Sequence, residues 1–422
     1  MSTTLVFGSQ WGDEGKGKIV DFLAKEADYV VRFHGGNNAG HTVVTKFGKF
    51  PLHLVPSGIC HPKVKCLITN GVILDLEVLL NEIKLLNDCG IKTIGRLFIS
   101  PRCHLIMPYH KILDRLYEEA KGKGKTGTTG RGIGPTYADK VSYNGLRVYD
   151  LLNKKLFAQK LEIQIQIKNK IIKALGEEPL SFESVLREFT LFRNKIKPYI
   201  AETLGILQEA QLRKKSILFE GAHGFFLDND WGTYPFCTAS TIVPGSINST
   251  CGLPIIPDRI IAVVKAYTTR VGEGPFPTEL KNKIGELIRY RGNEFGTTTG
   301  RPRRCGWFDA ELVRFSCIVS GATEIALTKL DVLDELKEIK ICVGYRRGAK
   351  RVGYINGDAE FLKNVKPVYE VVPGWRQKLN NINKWGDLPS NAKNYIKKIE
   401  KLLGVKVTLI STGPERSSTI IR

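Results

Sequence analysis

The sequence has no stretch approaching the ~18 uncharged apolar residues of a membrane-spanning helix, which excludes such a span. It has no CxxC pair. Its nine cysteines, at 60, 66, 89, 103, 237, 251, 305, 317 and 342, are scattered and odd in number. That argues against a zinc site or a disulfide framework and for reduced thiols in a cytoplasmic setting. Cys60-His61 and Cys103-His104 stand without a partner cluster and read as structural. There is no internal repeat, low-complexity tract or Ser/Pro linker. Met1–Phe7 lacks the basic and long apolar regions of a secretory leader.

Negative charge is the scarcer sign: 42 Asp and Glu stand against 63 Lys and Arg, a net charge of +21. Such an excess fits nucleic-acid binding, a site for several anions, or a Lys-rich solvated surface. Much of it is Lys on helix-like stretches such as 153–175 and 391–401. No long run of like charge and no compact nucleic-acid-binding motif accompanies it, so no nucleic-acid partner is expected.

Glycine is plentiful, 42 of 422 residues, which fits tight turns and phosphate-cradling loops. Buried-strand candidates are Thr4–Phe7, Tyr29–Phe33, Val64–Ile68, Arg96–Ile99, Ser216–Phe219, Arg259–Val264, Glu324–Leu327, Ile339–Val343 and Val405–Ile410. Helix-like segments lie between them, notably 77–88, 109–121, 308–319 and 390–403. The alternation predicts an α/β fold, a large mostly parallel central sheet flanked by helices. The stretch 151–214 is rich in Lys, Leu and Ile and nearly free of Gly. It reads as a helical insertion on a single domain spanning 1–422.

Gly12-Asp13-Glu14-Gly15-Lys16-Gly17-Lys18 has the GxxxxGK spacing of a phosphate loop, after a strand and opening a helix. Backbone N–H groups and the helix dipole would cradle phosphate, and two lysines add charge. Ile19 stands where such loops carry the Ser or Thr that holds Mg²⁺, so Asp13 is the candidate metal ligand. A second cluster, Gly35 to Thr42, places His41 as a candidate acid at the end of a strand. Thr328-Lys329-Leu330-Asp331 resembles the base-reading motif of guanine-nucleotide proteins. A carboxylate there accepts from guanine N1–H and the 2-amino group, which adenine lacks. A GTPase switch would use the same two motifs, and a basic nucleic-acid-binding protein could carry the Gly-rich loop by chance.

The segments Gln10–Lys18, Asn38–Thr42, Gly127–Pro135, Gly232–Pro235, Arg270–Gly272, Gly274–Glu279, Thr298–Arg301, Thr328–Asp331 and Ser411–Pro414 together resemble the adenylosuccinate synthetase family, in order and over nearly the whole chain. The resemblance implies a P-loop-like GTP-binding core and a two-step, Mg²⁺-dependent ligation of IMP and L-aspartate. GTP first phosphorylates O6 of IMP, and the aspartate amine then displaces phosphate from C6. It implies Asp13 as base, His41 as acid and Lys16 beside them, with Asp13 and the Gly40 carbonyl as ligands of one Mg²⁺ per subunit. GTP would meet Gly12, Asp13, Glu14, Gly15, Lys16, Gly17, Lys18, Gly40, His41, Thr42, Arg303, Lys329, Leu330, Asp331, Ser411, Thr412 and Gly413. IMP would meet Asp13, Lys16, Asn38, Ala39, Gly40, His41, Thr129, Tyr143, His223, Thr238 and Arg301. Aspartate would meet Thr297, Thr298, Thr299, Gly300, Arg301, Pro302 and Arg303. The loop Thr42–His53 would be mobile and close on ligand, and the chain would form a homodimer. Two positions depart from the family pattern. Tyr143 stands where an Arg reaches IMP across the dimer, which weakens that contact. His223 stands where an amide is usual, which would make IMP binding pH-dependent between about pH 6 and 7.

Overall fold

The computed structural model describes residues 2–45, 48–296, 300–354 and 358–422. Its centre is a nine-stranded sheet. In chain order the strands are β1 (Thr3–Gly8), β2 (Tyr29–Arg32), β3 (Lys65–Ile68), β4 (Leu97–Ile99), β5 (Ile217–Glu220), β6 (Arg259–Lys265), β7 (Glu324–Thr328), β8 (Lys406–Ser411) and β9 (Thr419–Ile421). Their order across the sheet is β9-β8-β7-β6-β1-β5-β2-β3-β4, and every pairing is parallel except the antiparallel edge pair β8–β9. The nine strand candidates of the sequence include eight of these; Ile339–Val343 lies instead in a smaller sheet, within the long strand Glu338–Arg347.

β1 is buried at all six positions because parallel strands are covered by helices on both faces. In register, Leu5 lies between Ile260 of β6 and Phe219 of β5. Alternation sorts the strands into two cores. Leu5, Phe7, Val31, Phe219, Ala262 and Val264 join one, and Val6, Val30, Cys66, Leu218, Ile261 and Val263 join the other.

Helices close both faces. Ser390–Leu403 buries Ala392, Tyr395, Ile396, Ile399 and Leu403, a stripe at helical spacing, and stops where Gly404 turns left-handed at φ 71. The stretch after residue 150 holds the helices Lys154–Ala174, Phe182–Ile196 and Thr203–Leu212. Among the described residues no helix is long and apolar enough to cross a membrane.

Candidate active site

Parallel strands point their carboxyl ends one way, and ligands in such folds bind in the crevice beyond those ends. The motifs at Gly12–Lys18, Gly35–Thr42, Gly232–Pro235, Arg270–Glu279, Thr328–Asp331 and Ser411–Pro414 follow β1, β2, β5, β6, β7 and β8 at this edge, while Gly127–Pro135 comes after the helix Pro108–Ala120.

After β1 the chain loops from Ser9 to Gly15 and enters the helix α1 (Lys16–Ala24). Asp13 is left-handed at φ 59 and Gly15 at φ 86. The loop is shaped by Glu14, whose fully buried carboxylate accepts from the Gly12 N–H at 2.8 Å and the Gln10 N–H at 3.1 Å. Lys16 Nζ donates to the same carboxylate at 2.7 Å. Gly8 leaves the room this needs, since a Cβ there would lie 2.3 Å from Glu14 Oε2. Thr328 Oγ1 donates to the Glu14 carbonyl at 2.6 Å, tying the loop to the base motif.

His41 opens the strand His41–Thr45, which pairs antiparallel with Gly48–Leu52, and lies against Gly17 of α1. Its Nδ1 is paired with Glu220, the last residue of β5, and its buried Nε2 has no hydrogen-bond partner among the described residues. Glu220 also accepts from Ser57 N at 2.8 Å and Ser57 Oγ at 2.7 Å. Burial lowers the His41 pKa despite the Glu220 charge, while His41, Arg32 and Ser57 hold Glu220 low. The pair is therefore a neutral imidazole donating to a carboxylate. His223, left-handed at φ 58, is buried with neither ring nitrogen partnered among the described residues. Burial, reinforced by Arg32, Lys16 and His41, drives its pKa well below the usual value. This corrects the expected titration between pH 6 and 7: the ring stays neutral there. Asn38 Nδ2 donates to Thr238 Oγ1 at 3.2 Å, and Asn38 Oδ1 is unpartnered among the described residues. Each orphaned buried polar atom costs about 1–3 kcal/mol. The orphaned ring nitrogens of His34, His41 and His223 mark where a polar ligand would supply the missing bonds.

On the other side of the loop, Arg303 Nε lies 2.8 Å from Asp13 Oδ2, an ionic contact whose N–H is not aligned for a hydrogen bond. Arg303 Nη1 donates to Glu294 at 2.8 Å. Glu294 is a buried hub that also accepts from Lys265 Nζ at 2.8 Å and Tyr267 OH at 2.5 Å and has Lys329 Nζ at 3.4 Å. These cations pull its carboxyl far down. Lys329 is left-handed at φ 57 and donates to the Gly292 carbonyl. Burial raises the Asp331 carboxyl, and Leu330 packs into the core. Lys18 donates to Ser411 Oγ and the Gly413 carbonyl, with Thr412 buried between them, and burial lowers its ammonium to about 8.

The remaining expected residues differ in exposure. Gly40, Thr129, Gly300, Arg301 and Pro302 are exposed, Thr42 is half-buried and Ala39 is buried. Arg301 Nη2 lies 3.8 Å from Glu273 Oε1. The Thr129 loop is anchored by Glu118, which accepts from the Gly127 N–H at 2.8 Å and from Thr126 Oγ1 at 2.7 Å. Tyr143 is 97% exposed. Thr297, Thr298 and Thr299 lie outside the described residues, as do positions 46 and 47 of the loop expected to move.

Sequence reasoning missed Arg32, Glu220, Lys265 and Glu294. Three of them shared a signal: Arg32, Glu220 and Lys265 each end an apolar strand with a charge, and all three are buried.

A family model described as adenylosuccinate synthetase matches residues 5–420. The chain is similar to the adenylosuccinate synthetase of Desulforamulus reducens, 50% identical over 424 residues that cover 100% of this chain and 99% of that protein. It is 48% identical to that of Halothermothrix orenii over 424 residues, with the same coverage. Among solved structures it resembles the fully ligated adenylosuccinate synthetase of Plasmodium falciparum at 36% identity and a TM-score of 0.95, over 100% of both chains.

Proposed function

Because the chain belongs to the adenylosuccinate synthetase family, we propose that the residues gathered at the carboxyl edge of its sheet divide that family's reaction among them. The enzyme is a ligase of purine biosynthesis that uses GTP to convert IMP to adenylosuccinate on the route to AMP. The observation that supports the division of labour is that both groups flank the positive end of α1, Asp13 in the loop before it and His41 against Gly17 in its first turn. An amide oxygen is a poor nucleophile until its neighbouring N–H is removed. Asp13 takes the N1 proton of IMP, and O6 attacks the γ-phosphoryl group of GTP. His41 donates from Nε2 to the β-phosphate oxygen as it leaves. The aspartate amine then attacks C6, and phosphate departs. His223, Asn38 and Thr238 hold the purine, with His223 donating one hydrogen bond as a neutral ring. Arg303 has five N–H donors, so the carboxylates of aspartate can draw it off Asp13 and free the base. Lys329 and Asp331 read guanine.

Asp13 and Gly40 fit a hard divalent ion: both offer oxygen, Asp13 is half-exposed and Gly40 exposed, and Mg²⁺ takes few protein ligands beside phosphates and water. When bound, it would neutralise charge on the phosphates. The chain works as one domain with the helices Lys154–Leu212 as an insertion, a reading supported by a central sheet that draws strands from Thr3 to Ile421. A homodimer is supported by exposed apolar residues beside Tyr143. These are Val141, and Ile163 and Ile167 one turn apart on the helix Lys154–Ala174, which bonds to the Tyr143 turn through Gln164 and Asn144. A cytoplasmic location fits nine free thiols.

The test is turnover of the purified protein with IMP, aspartate, Mg²⁺ and GTP, followed by ultraviolet absorbance. A rise requiring all four supports the assignment. GTP hydrolysis without IMP would favour a GTPase switch, and equal rates with ATP would remove Asp331 as base reader.

A further inference from the structure

We propose that Lys18, the lysine at the phosphate-loop position, is a positioning residue. It straps the base-site loop Ser411–Ser418 to the head of α1 instead of binding phosphate, and so sets the enzyme's affinity for the guanosine moiety. The inference rests on the reading of this edge as a GTP site. An ammonium group has three N–H donors and no acceptor. Lys18 Nζ donates to Ser411 Oγ at 2.6 Å, to the Gly413 carbonyl at 2.7 Å and to the Ser418 carbonyl at 2.9 Å. All three donors are used, and none remains for a phosphate oxygen.

The acceptors belong to one folded loop. Ser411 Oγ donates on to the Gly413 carbonyl at 3.0 Å, and the Thr412 N–H donates to the Ser418 carbonyl at 3.1 Å. The ammonium thus fills the loop's centre. A second strap leaves the same face of α1. Asp21, three residues after Lys18, receives both Nε and Nη2 of Arg416, each at 2.7 Å. Two residues of one helix turn grip two points of one loop. Asp331 and Glu415 are the carboxylates that act on Lys18, so the base reader borders the strap.

Calorimetric titration of GMP, GDP and GTP into wild type and Lys18→Met tests this. The strap predicts the same loss, about tenfold, for all three nucleotides, because the loop serves the part they share. A loss that grows with the number of phosphates would overturn it. In turnover, KM for GTP rises while kcat falls less than about threefold; a fall in kcat at unchanged KM would mark a transition-state contact and overturn it. Ser411→Ala gives the same phosphate-independent loss, and the double variant loses less than the sum of the two; additive losses would count against a shared strap. Should Lys18→Met not fold, as judged by its melting temperature and IMP binding, Ser411→Ala alone carries the GMP-to-GTP comparison. If wild type binds ATP as tightly as GTP, the GTP reading itself fails, a result distinct from failure of the strap.

Discussion

Glu220 and His41 stand 179 positions apart and meet through a buried contact at Nδ1. With His41 neutral and Glu220 ionised, Nε2 is left for the substrate side. A polyanionic nucleotide opposes Arg32 and Lys16, which add to burial in lowering the His41 pKa, and so lets Nε2 take up the proton it donates. His41→Asn is expected to lower kcat by about 10²–10⁴-fold with little change in KM for GTP. Glu220→Gln removes the charge that raises the His41 pKa. The limb of the kcat–pH profile where activity falls with rising pH then moves to lower pH; an unmoved limb would detach Glu220 from the proton transfer. Tyr143 offers a hydroxyl without charge on a fully accessible, left-handed residue. Tyr143→Arg should tighten IMP binding by on the order of 1 kcal/mol or more through a charge-assisted bond, and titration showing equal or weaker affinity would refute the cross-subunit contact.

At the scale of elements, the helix Ser390–Leu403 stands on its apolar stripe, and Ile399 is fully buried in it. Ile399→Ala should cost about 2–5 kcal/mol, read as a lower denaturation midpoint at unchanged slope. The strands were legible because parallel, doubly covered strands are continuous apolar runs. The phosphate loop and the base motif were legible because they are local. What stayed hidden is long-range: Glu220 on Ser57 and His41, and Glu294 on Lys265, pair residues that no local pattern links. Lys18 shows the converse, a motif residue whose spacing is right and whose ammonium is taken by a loop nearly four hundred residues away. His223 is similar: the residue type set an expectation of titration near neutrality, and burial removed it.

For the whole molecule, five of the seven histidines have lowered pKa values in the folded state: His34, His41, His104 (about 4), His110 and His223. The unfolded chain takes up protons near pH 6.5 and the folded one does not, so stability falls as pH drops below that value. Asp309, raised to about 7, and Asp334, raised to about 6, act in the opposite sense but are outnumbered. The melting temperature should therefore be lower at pH 5.5 than at pH 7.5; equal values would mean that these rings take up protons without unfolding. Glu14 has a further consequence at this scale. Its carboxylate sits inside the phosphate loop as an anion the protein carries itself, bonded to the Gly12 and Gln10 amides and to Lys16. The loop is preorganised: its conformational entropy is lost during folding, not at binding, so the nucleotide meets a finished cradle.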